Sequence, residues 1–595
     1  MSASRDRLGD YSTDRRVWIL SAMALAIGGI AAGVAWALVW LIAVITNLAY
    51  FHRFSSIFVS PGAQPLSPWT VLIPIVGGLV IGAMARWGSD RIRGHGIPEA
   101  LEAILIGRSR LDAKVAILKP VSSAVSIGTG GPFGAEGPII MTGGAFGSLF
   151  AQLFHLSSAE RKTLLVAGAA AGMSAIFASP VAATLLAVEL LLFEWKPRSF
   201  IPVALAAATA SVARVPLLGA GPVFPVPAHA LQPGIVLLAA AGLGLLAGLA
   251  SGALTALVYA FEDLFLKLPI HWMWWPAIGG LCIGIGGLID PRVLGVGYES
   301  IHGLLAGSVP PGSATRLAVT KAVVWAFALG SGTSGGVLAP LLMMGGSLGS
   351  LFSTILPHGG TGLWATVGMA ALMGGTMRSP LTAMVFTAEL TQDWNLLPTL
   401  LVACTCAHAV TVLLMRRSIL TEKVARRGHH IFREYSVDPF DVHRVGEVMD
   451  RKVATISTAT SLREYSERLR HEPDLARRQG TPILDANGKL AGIITRSDLM
   501  RGLEKDAQGD AAVLDAGSRR LIVAYEDDLI ADAVERMLEN DIGRLPVVDR
   551  ANPERLVGYL GRSGILAARQ RLMHEENVRE RGASRGRSDE MPDAS

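Results

Sequence analysis

GTGGPFGAEGPIIMTGGAFGSLF, residues 128–150, returns at residues 330–352 as GSGTSGGVLAPLLMMGGSLGSLF, with eleven of the 23 positions identical at an offset of 202. A second match follows at an offset of 200, where Ala170 to Leu190 lies on Ala370 to Leu390. In both copies a Ser-Pro (Ser179-Pro180, Ser379-Pro380) precedes a glutamate nine residues after the proline, Glu189 and Glu389. Two matches in the same order and at nearly the same offset define two related halves. Repeated halves with broken helices place a substrate site where they meet. The residues alone leave open whether the halves run parallel or inverted.

The surroundings of the repeat are apolar. The 595-residue chain is 51% hydrophobic and only 17% charged, with a mean hydropathy of +0.43. Soluble domains carry roughly 25% charged residues, so an ordinary cytosolic enzyme is excluded. Many glycines (66) and few aromatics (6%) fit closely packed membrane helices, in which small side chains let backbones approach. Val17 to Phe51 contains no charged residue or histidine, and Ala230 to Phe261 and Ala322 to Pro357 are similarly bare. At about 1.5 Å per residue the first run exceeds a ~30 Å hydrocarbon core. Between these runs the apolar segments are short and broken by Gly and Pro. In lipid such breaks are tolerated only inside protein or along a cavity, because they leave backbone groups unpaired. The pattern predicts a multi-pass transporter or channel of the cell membrane. The basic flank (Arg5, Arg7, Arg15, Arg16) predicts an uncleaved N-terminal segment, residues 1–16, with both termini cytoplasmic. Three cysteines, Cys282, Cys404 and Cys406, exclude a disulfide scaffold and a four-thiolate zinc site. No metal site and no resident cofactor are expected. The net charge of +5 fits basic flanks and not nucleic-acid binding.

Three Gly/Pro-framed turns open apolar segments: Gly94-His95-Gly96-Ile97-Pro98, Gly134-Ala135-Glu136-Gly137-Pro138 and Gly336-Val337-Leu338-Ala339-Pro340. Pro early in a helix wastes no hydrogen bond, and Gly lets the backbone come close to a ligand. Each turn presents free N–H groups at a positive helix end. Three such ends aimed at one place hold an anion without a full positive charge, weakly enough for it to leave again. No Lys or Arg lies inside the three turns, and no ring of acidic residues marks a cation pathway. Glu136 is the exception, an ionisable side chain in the middle of an anion-binding turn, and intramembrane carboxylates are usually functional. Its carboxylate is expected to occupy the anion position and swing away on protonation or displacement. The equivalent position of the second half is Leu338, so the carboxylate is not part of the repeat. The membrane region has no His-Glu-x-x-His motif, no Ser/His nucleophile pair and no Walker-type Gly-Lys-Ser/Thr, so the chain reads as neither an enzyme nor an ATP-driven pump.

At these turns the sequence resembles the CLC family of chloride channels and proton/chloride exchangers. The family signatures GSGIP, G(K/R)EGP and GxFxP appear as GHGIP (Gly94–Pro98), GAEGP (Gly134–Pro138) and GVLAP (Gly336–Pro340). The resemblance implies an α-helical multi-pass membrane domain over residues 17–428, built of two inverted repeats of short tilted helices. It implies a homodimer in membrane lipid, with one independent path per subunit for chloride or a similar anion. It assigns gating to Glu136, near the extracellular side, and anion binding to Gly94, His95, Gly96, Ile97, Pro98, Gly134, Ala135, Gly137, Val337 and Leu338. There are departures. His95 replaces the central serine and Ala135 the basic residue before the gating glutamate, while Leu420 stands where the family has its inner-gate tyrosine. Leu190, beside Glu189, takes the position of the cytoplasmic proton-accepting glutamate of many exchangers. An apolar side chain cannot relay a proton, so the expectation is a channel or weakly coupled transporter, with an obligate antiporter as the alternative. Glu189 itself reads as structural or as part of a dimer interface. A nucleotide-sensing cation transporter is the more distant alternative.

After Arg416 charged residues become frequent. Short β-like runs (Thr481 to Leu484, Leu490 to Thr495, Leu545 to Val548, Leu556 to Leu560) alternate with amphipathic stretches such as Asp528 to Asn540. Residues 429–572 read as an α/β module of two similar units, Val445–Leu503 and Ala512–Arg569, that resembles tandem CBS domains. Thr495 and Asp498 have the Thr-x-x-Asp spacing such domains use for a nucleotide ribose, whereas Gly561 and Gly564 replace that pair in the second unit. At most one site is expected for an adenine nucleotide (ATP, ADP or AMP) as regulatory ligand; the alternative is a pair that only dimerises and stiffens the assembly. Residues 573–595, rich in Arg, Glu and Ser, read as a disordered tail.

Overall fold

The computed structural model describes residues 16–105, 109, 111–428, 440, 443–476 and 479–567. Most of the expected N-terminal segment, the tail 573–595 and the boundary expected at 428/429 lie outside or against the edge of the described residues. The chain forms two compact units that divide near residue 435.

The first unit is helical. Its first half comprises α1 (Arg16–Phe51), α2 (Leu72–Trp87), α3 (Ile97–Leu105), α4 (Ala113–Gly128), α5 (Glu136–Gln152), α6 (Ser158–Phe177), α7 (Pro180–Leu186) and α8 (Pro197–Ala213). The second half repeats the order: α9 (Gly234–Leu266), α10 (Trp275–Ile289), α11 (Tyr298–Leu305), α12 (Pro311–Gly330), α13 (Leu338–Phe352), α14 (Leu363–Met377), α15 (Pro380–Thr391) and α16 (Leu397–Leu414). A further short helix, α17 (Ile419–Arg426), follows. The charge-free runs at Val17 and Ala230 become α1 and α9. The third bare run, Ala322 to Pro357, is not one span. It breaks between α12 and α13, where Gly332 takes φ +80° and Gly335 lies so close to the Phe133 ring that a Cβ would collide with it. Five segments among the described residues are long and apolar enough to cross a membrane: Arg16–Phe51, Pro68–Trp87, Gly234–Leu266, Trp272–Ile289 and Trp394–Arg426. Large apolar side chains such as Leu238 and Leu413 are exposed, which suits a hydrocarbon surrounding rather than water.

The halves are inverted relative to each other. Gly134 and Gly336, equivalent in the repeat, pair with each other in antiparallel fashion, with Gly336 N donating to Gly134 O (2.9 Å) and Gly134 N to Gly336 O (3.4 Å). Equivalent residues that face each other with opposite chain directions are related by a two-fold axis between them.

Glycines set the helix spacing. Gly143 on α5 and Gly168 on α6 each press against the other's carbonyl oxygen, and Gly345 on α13 and Gly368 on α14 do the same in the second half. Small residues permit such backbone contact in membrane bundles.

The second unit holds two three-stranded sheets: β1 (Ile456–Ser457), β2 (Gly480–Leu484) and β3 (Leu490–Thr495), then β4 (Ala524–Tyr525), β5 (Arg544–Val548) and β6 (Leu556–Gly561). In each, the first strand runs parallel and the last antiparallel to the central one. The sheets carry the helices α18 (Leu462–His471), α19 (Arg496–Lys505) and α20 (Ile530–Glu539). The four β-like runs and the amphipathic stretch therefore fall where the sequence places them. The lead segments are exchanged: Val445 and Met449 pack into the core of the second sheet, and Val513 into that of the first.

Replacing Gly168 or Gly368 with valine is expected to destabilise the helix pair by about 1–3 kcal/mol or more through overpacking. Gly29→Ala, where nothing lies within 4 Å of the added Cβ, is expected to cause no loss and to stabilise the helix by up to about 1 kcal/mol. Thermal unfolding of the detergent-solubilised protein reads both.

Candidate functional site

The three Gly/Pro-framed turns meet. They lead into α3, α5 and α13, and each is closed by backbone contacts with the others. Besides the Gly134–Gly336 pair, Gly335 N donates to Gly94 O (3.4 Å). His95 O lies against Gly137, and Gly137 O against Gly96, too close in both cases for a side chain. Gly94 and Gly96 adopt φ +84° and +89°, a left-handed conformation that glycine adopts without strain. Ile97 and Pro98 form the first turn of α3, while Ala135 and Val337 are the N-cap residues of α5 and α13, all buried.

Glu136 lies at the centre of this junction, fully buried. Its Oε1 accepts from Leu338 N (2.5 Å) and Ala339 N (3.2 Å), the first amides of α13. Its Oε2 has no hydrogen-bond partner among the described residues. The carboxylate of one half thus rests on the helix end of the other, at the position equivalent to its own. The positive end of a helix favours a negative charge there.

His95 is buried, with Nδ1 unpartnered among the described residues. The charged groups around it are Glu99, Lys423, Lys119 and Arg427. Glu99 accepts from Gly96 N (2.9 Å) and pairs with Arg427 (3.0 Å). Leu420 is buried in α17, which packs against α3 and whose Ile419 O accepts from the Tyr259 hydroxyl.

Leu190 is buried in a wide helical turn, Ala187–Leu192, that continues α7. Beside it, Glu189 Oε2 accepts from Thr382 N (2.9 Å) and Thr382 Oγ1 (2.5 Å) at the start of α15. Its repeat mate Glu389 accepts from Val181 N (3.0 Å) and Ala182 N (2.8 Å) at the start of α7. Each Ser-Pro helix is capped by the other half's glutamate.

Two functional candidates escaped the sequence reading. Lys119 on α4 is buried and donates from Nζ to Ile92 O and Gly94 O (both 2.8 Å). Lys321 on α12, at the repeat offset of 202, is buried and donates to Val293 O (2.9 Å) and Gly295 O (3.1 Å). The turn Gly94-His95-Gly96 accordingly has a mate, Gly295-Val296-Gly297, with the same left-handed glycines (φ +64° and +80°). The offset of 202 that aligned the two glycine-rich stretches would have found the lysines, and the two turns align at 201. The three Gly/Pro-framed turns carry no charge of their own beyond Glu136 and His95; a buried ammonium stands behind the first of them, and its repeat mate behind Gly295-Val296-Gly297.

In the second unit, Thr495 and Asp498 cap α19 reciprocally. Thr495 Oγ1 donates to Asp498 Oδ2 (2.6 Å) and Asp498 N to Thr495 Oγ1 (3.2 Å), while the other carboxylate oxygen pairs with Arg501.

Comparison with known proteins agrees with this architecture. Residues 76–412 match the family described as "Voltage gated chloride channel", and residues 445–505 and 513–571 each match the CBS domain. The chain belongs to the voltage-gated chloride channel (CLC) family and carries a C-terminal CBS pair. It is 30% identical over 371 residues to a putative chloride channel protein ClcB-like of Ralstonia nicotianae, covering 60% of this chain and 86% of that protein. It is also 30% identical over 353 residues to the H(+)/Cl(-) exchange transporter ClcA of Salmonella paratyphi A, covering 56% of this chain and 73% of that one. Among solved structures, a slow cyanobacterial Cl-/H+ antiporter superposes with a TM-score of 0.62 at 23% identity, over 70% of this chain and 98% of that one. The membrane unit therefore has the CLC fold.

Glu389→Ala leaves two amides of α7 unpaired, that of Ala182 buried, and is expected to cost about 1–3 kcal/mol. Glu389→Gln, which keeps an acceptor, is expected to lose less. The spacing between the two melting temperatures checks the assignment.

Proposed function

We propose that the chain moves chloride or a similar small anion across the cell membrane, through a route at the junction of α3, α5 and α13 that Glu136 gates. The observation that carries this reading is the seat of the Glu136 carboxylate. One oxygen takes the amides that open α13, where an anion would be drawn, and the other takes nothing among the described residues. A carboxylate held by helix-end amides is displaced by a competing anion or released by protonation. The amides around Ala135–Gly137 and Val337–Leu338, the Gly94–Pro98 turn with His95, and the α17 residue Leu420 line the route in this reading. Family membership supports it, as do relatives named as chloride channels and as proton/chloride exchangers.

Of the two modes, a channel or weakly coupled transporter fits better. Leu190 cannot carry a proton, and the Glu189 carboxylate is engaged in capping α15. Strict exchange is the second reading, favoured by the resemblance to ClcA. The protein works as a homodimer in lipid, both ends cytoplasmic, with Glu136 toward the extracellular side. The CBS pair takes an adenine nucleotide at Thr495 and Asp498, with Arg501 releasing Asp498 on binding.

Paired anion and proton flux on reconstituted protein tests the assignment. Glu136→Gln is expected to change chloride flux several-fold and to reduce any proton movement to background, a loss of the order general for one essential proton carrier. Unchanged behaviour in both measurements rejects the gate. Proton movement in fixed ratio to chloride in the unmodified protein selects the exchanger. For the nucleotide, calorimetry with ATP, ADP and AMP on the full chain is expected to give binding heat that Asp498→Ala abolishes; absence of heat in the unmodified protein leaves only a scaffold.

A further inference from the structure

The two buried lysines occupy equivalent places but not equivalent charge environments. Each ammonium grips the first carbonyl of a Gly-x-Gly turn and the carbonyl two residues before it, so these oxygens point toward the lysine. A buried ammonium costs several kcal/mol unless a negative charge answers it. Lys119 has such a partner nearby in Glu99, the carboxylate that closes the same turn on Gly96 N. With Gly94-His95-Gly96 laid on Gly295-Val296-Gly297, an offset of 201, the position of Glu99 is taken by Ser300; the neighbouring Glu299 is exposed, and among the described residues no carboxylate closes that turn.

The other charges near α12 are already matched. The helix packs against α9, α10, α13 and the Pro291–Val293 turn. On α9, Glu262 faces Lys423 (3.9 Å) and Asp263 pairs with Arg426. Asp290, at the end of α10, is held by Arg292 (2.6 Å) and Arg316 (3.4 Å). Neither α10 nor α13 contains an ionised residue. The titratable Tyr259 on α9 donates its hydroxyl to Ile419 O, and Cys282 lies on α10. The turn that Lys321 grips abuts α13, where Gly297 lies against the Met343 side chain, and α13 is the helix whose first amides hold the Glu136 carboxylate; among the described residues Glu136 is the charged group that bears on Lys321.

We propose that Lys321 sets the charge balance of the seat between α5 and α13, so that this seat requires one negative charge, supplied in turn by the Glu136 carboxylate and by the transported anion. Lys321 touches neither; it acts through the low-dielectric interior, where an unanswered charge is felt over several ångströms. When the carboxylate leaves, the ammonium has no other answering group among the described residues, and an anion is drawn in to replace it. This inference rests on the reading of Glu136 as the gate and names what tunes it. The asymmetry between Glu99 and Ser300 explains why identical lysines in the two halves do different work. One steadies a turn closed by its own carboxylate, while the other leaves a charge requirement for the mobile species to meet.

Two substitutions test this from opposite sides. Lys321→Gln keeps two N–H donors for Val293 O and Gly295 O and removes only the charge. Ser300→Glu leaves Lys321 intact and supplies the carboxylate that the first half has. Both are expected to weaken chloride binding by about tenfold or more, as loss of one net unit charge beside a partly dehydrated ion does. Lys321→Arg, which restores the charge, is expected to return to within about threefold of the unmodified protein on the same ground. The measurement is chloride titration calorimetry on monodisperse protein, with chloride flux in vesicles alongside. Either charge-cancelling variant, folded and binding chloride with unchanged affinity, overturns the proposal, as does Lys321→Arg binding as weakly as Lys321→Gln. If only one charge-cancelling variant folds, that variant decides. Glu136→Gln distinguishes the two levels: altered flux in it with silent Lys321→Gln and Ser300→Glu removes the lysine's role and leaves the gate standing, whereas unaltered flux in it removes the gate.

Discussion

A helix that stops inside a membrane must find partners for the amides at its broken end, and this need organises the first unit. Gly134 and Gly336 satisfy it by pairing with each other across the two-fold axis. Leu338 and Ala339 satisfy it with the Glu136 carboxylate, and Val181, Ala182 and Thr382 with Glu389 and Glu189. All of these bonds cross from one half to the other. The interior of the protein is therefore closed not by apolar packing alone but by a set of carboxylate–amide contacts whose members come from both repeats. The anion route is the place where this closure is made by a side chain that can let go.

Much of this was legible in the sequence. The repeat offset, the three Gly/Pro-framed turns and the lone Glu136 were visible because Gly and Pro mark backbone breaks and an ionisable residue in an apolar run is conspicuous. The reciprocal glutamates were visible as a spacing after Ser-Pro, but not their crossed pairing, since no linear pattern says which helix end a carboxylate reaches. Leu190 could be read as an apolar side chain unable to relay a proton; that Glu189 beside it finishes α15 required coordinates.

The lysines show a different limit. Lys119 and Lys321 lie outside the turns they hold, each on a helix separated from its turn by some 25 residues, with acceptors 25–28 positions away. A reading confined to the turns sees no cation and infers that peptide dipoles act alone. Long polar side chains that reach back to backbone carbonyls carry no local signature, so only the repeat relation makes them visible. In the second unit the strands were legible from their alternation, whereas the exchange of lead segments between the two sheets was not. Val445 and Val513 look like ordinary starts of their own units, and which core they enter is a tertiary choice.

The crossed glutamate caps have a bearing on how such a molecule can have arisen and can be dismantled. A protein cut between α8 and α9 would yield two pieces, each with the stopper for its sibling's helix and none for its own. Neither piece is a finished object, and an ancestral single copy would have had to meet a second of itself, upside down, before its interior was sealed.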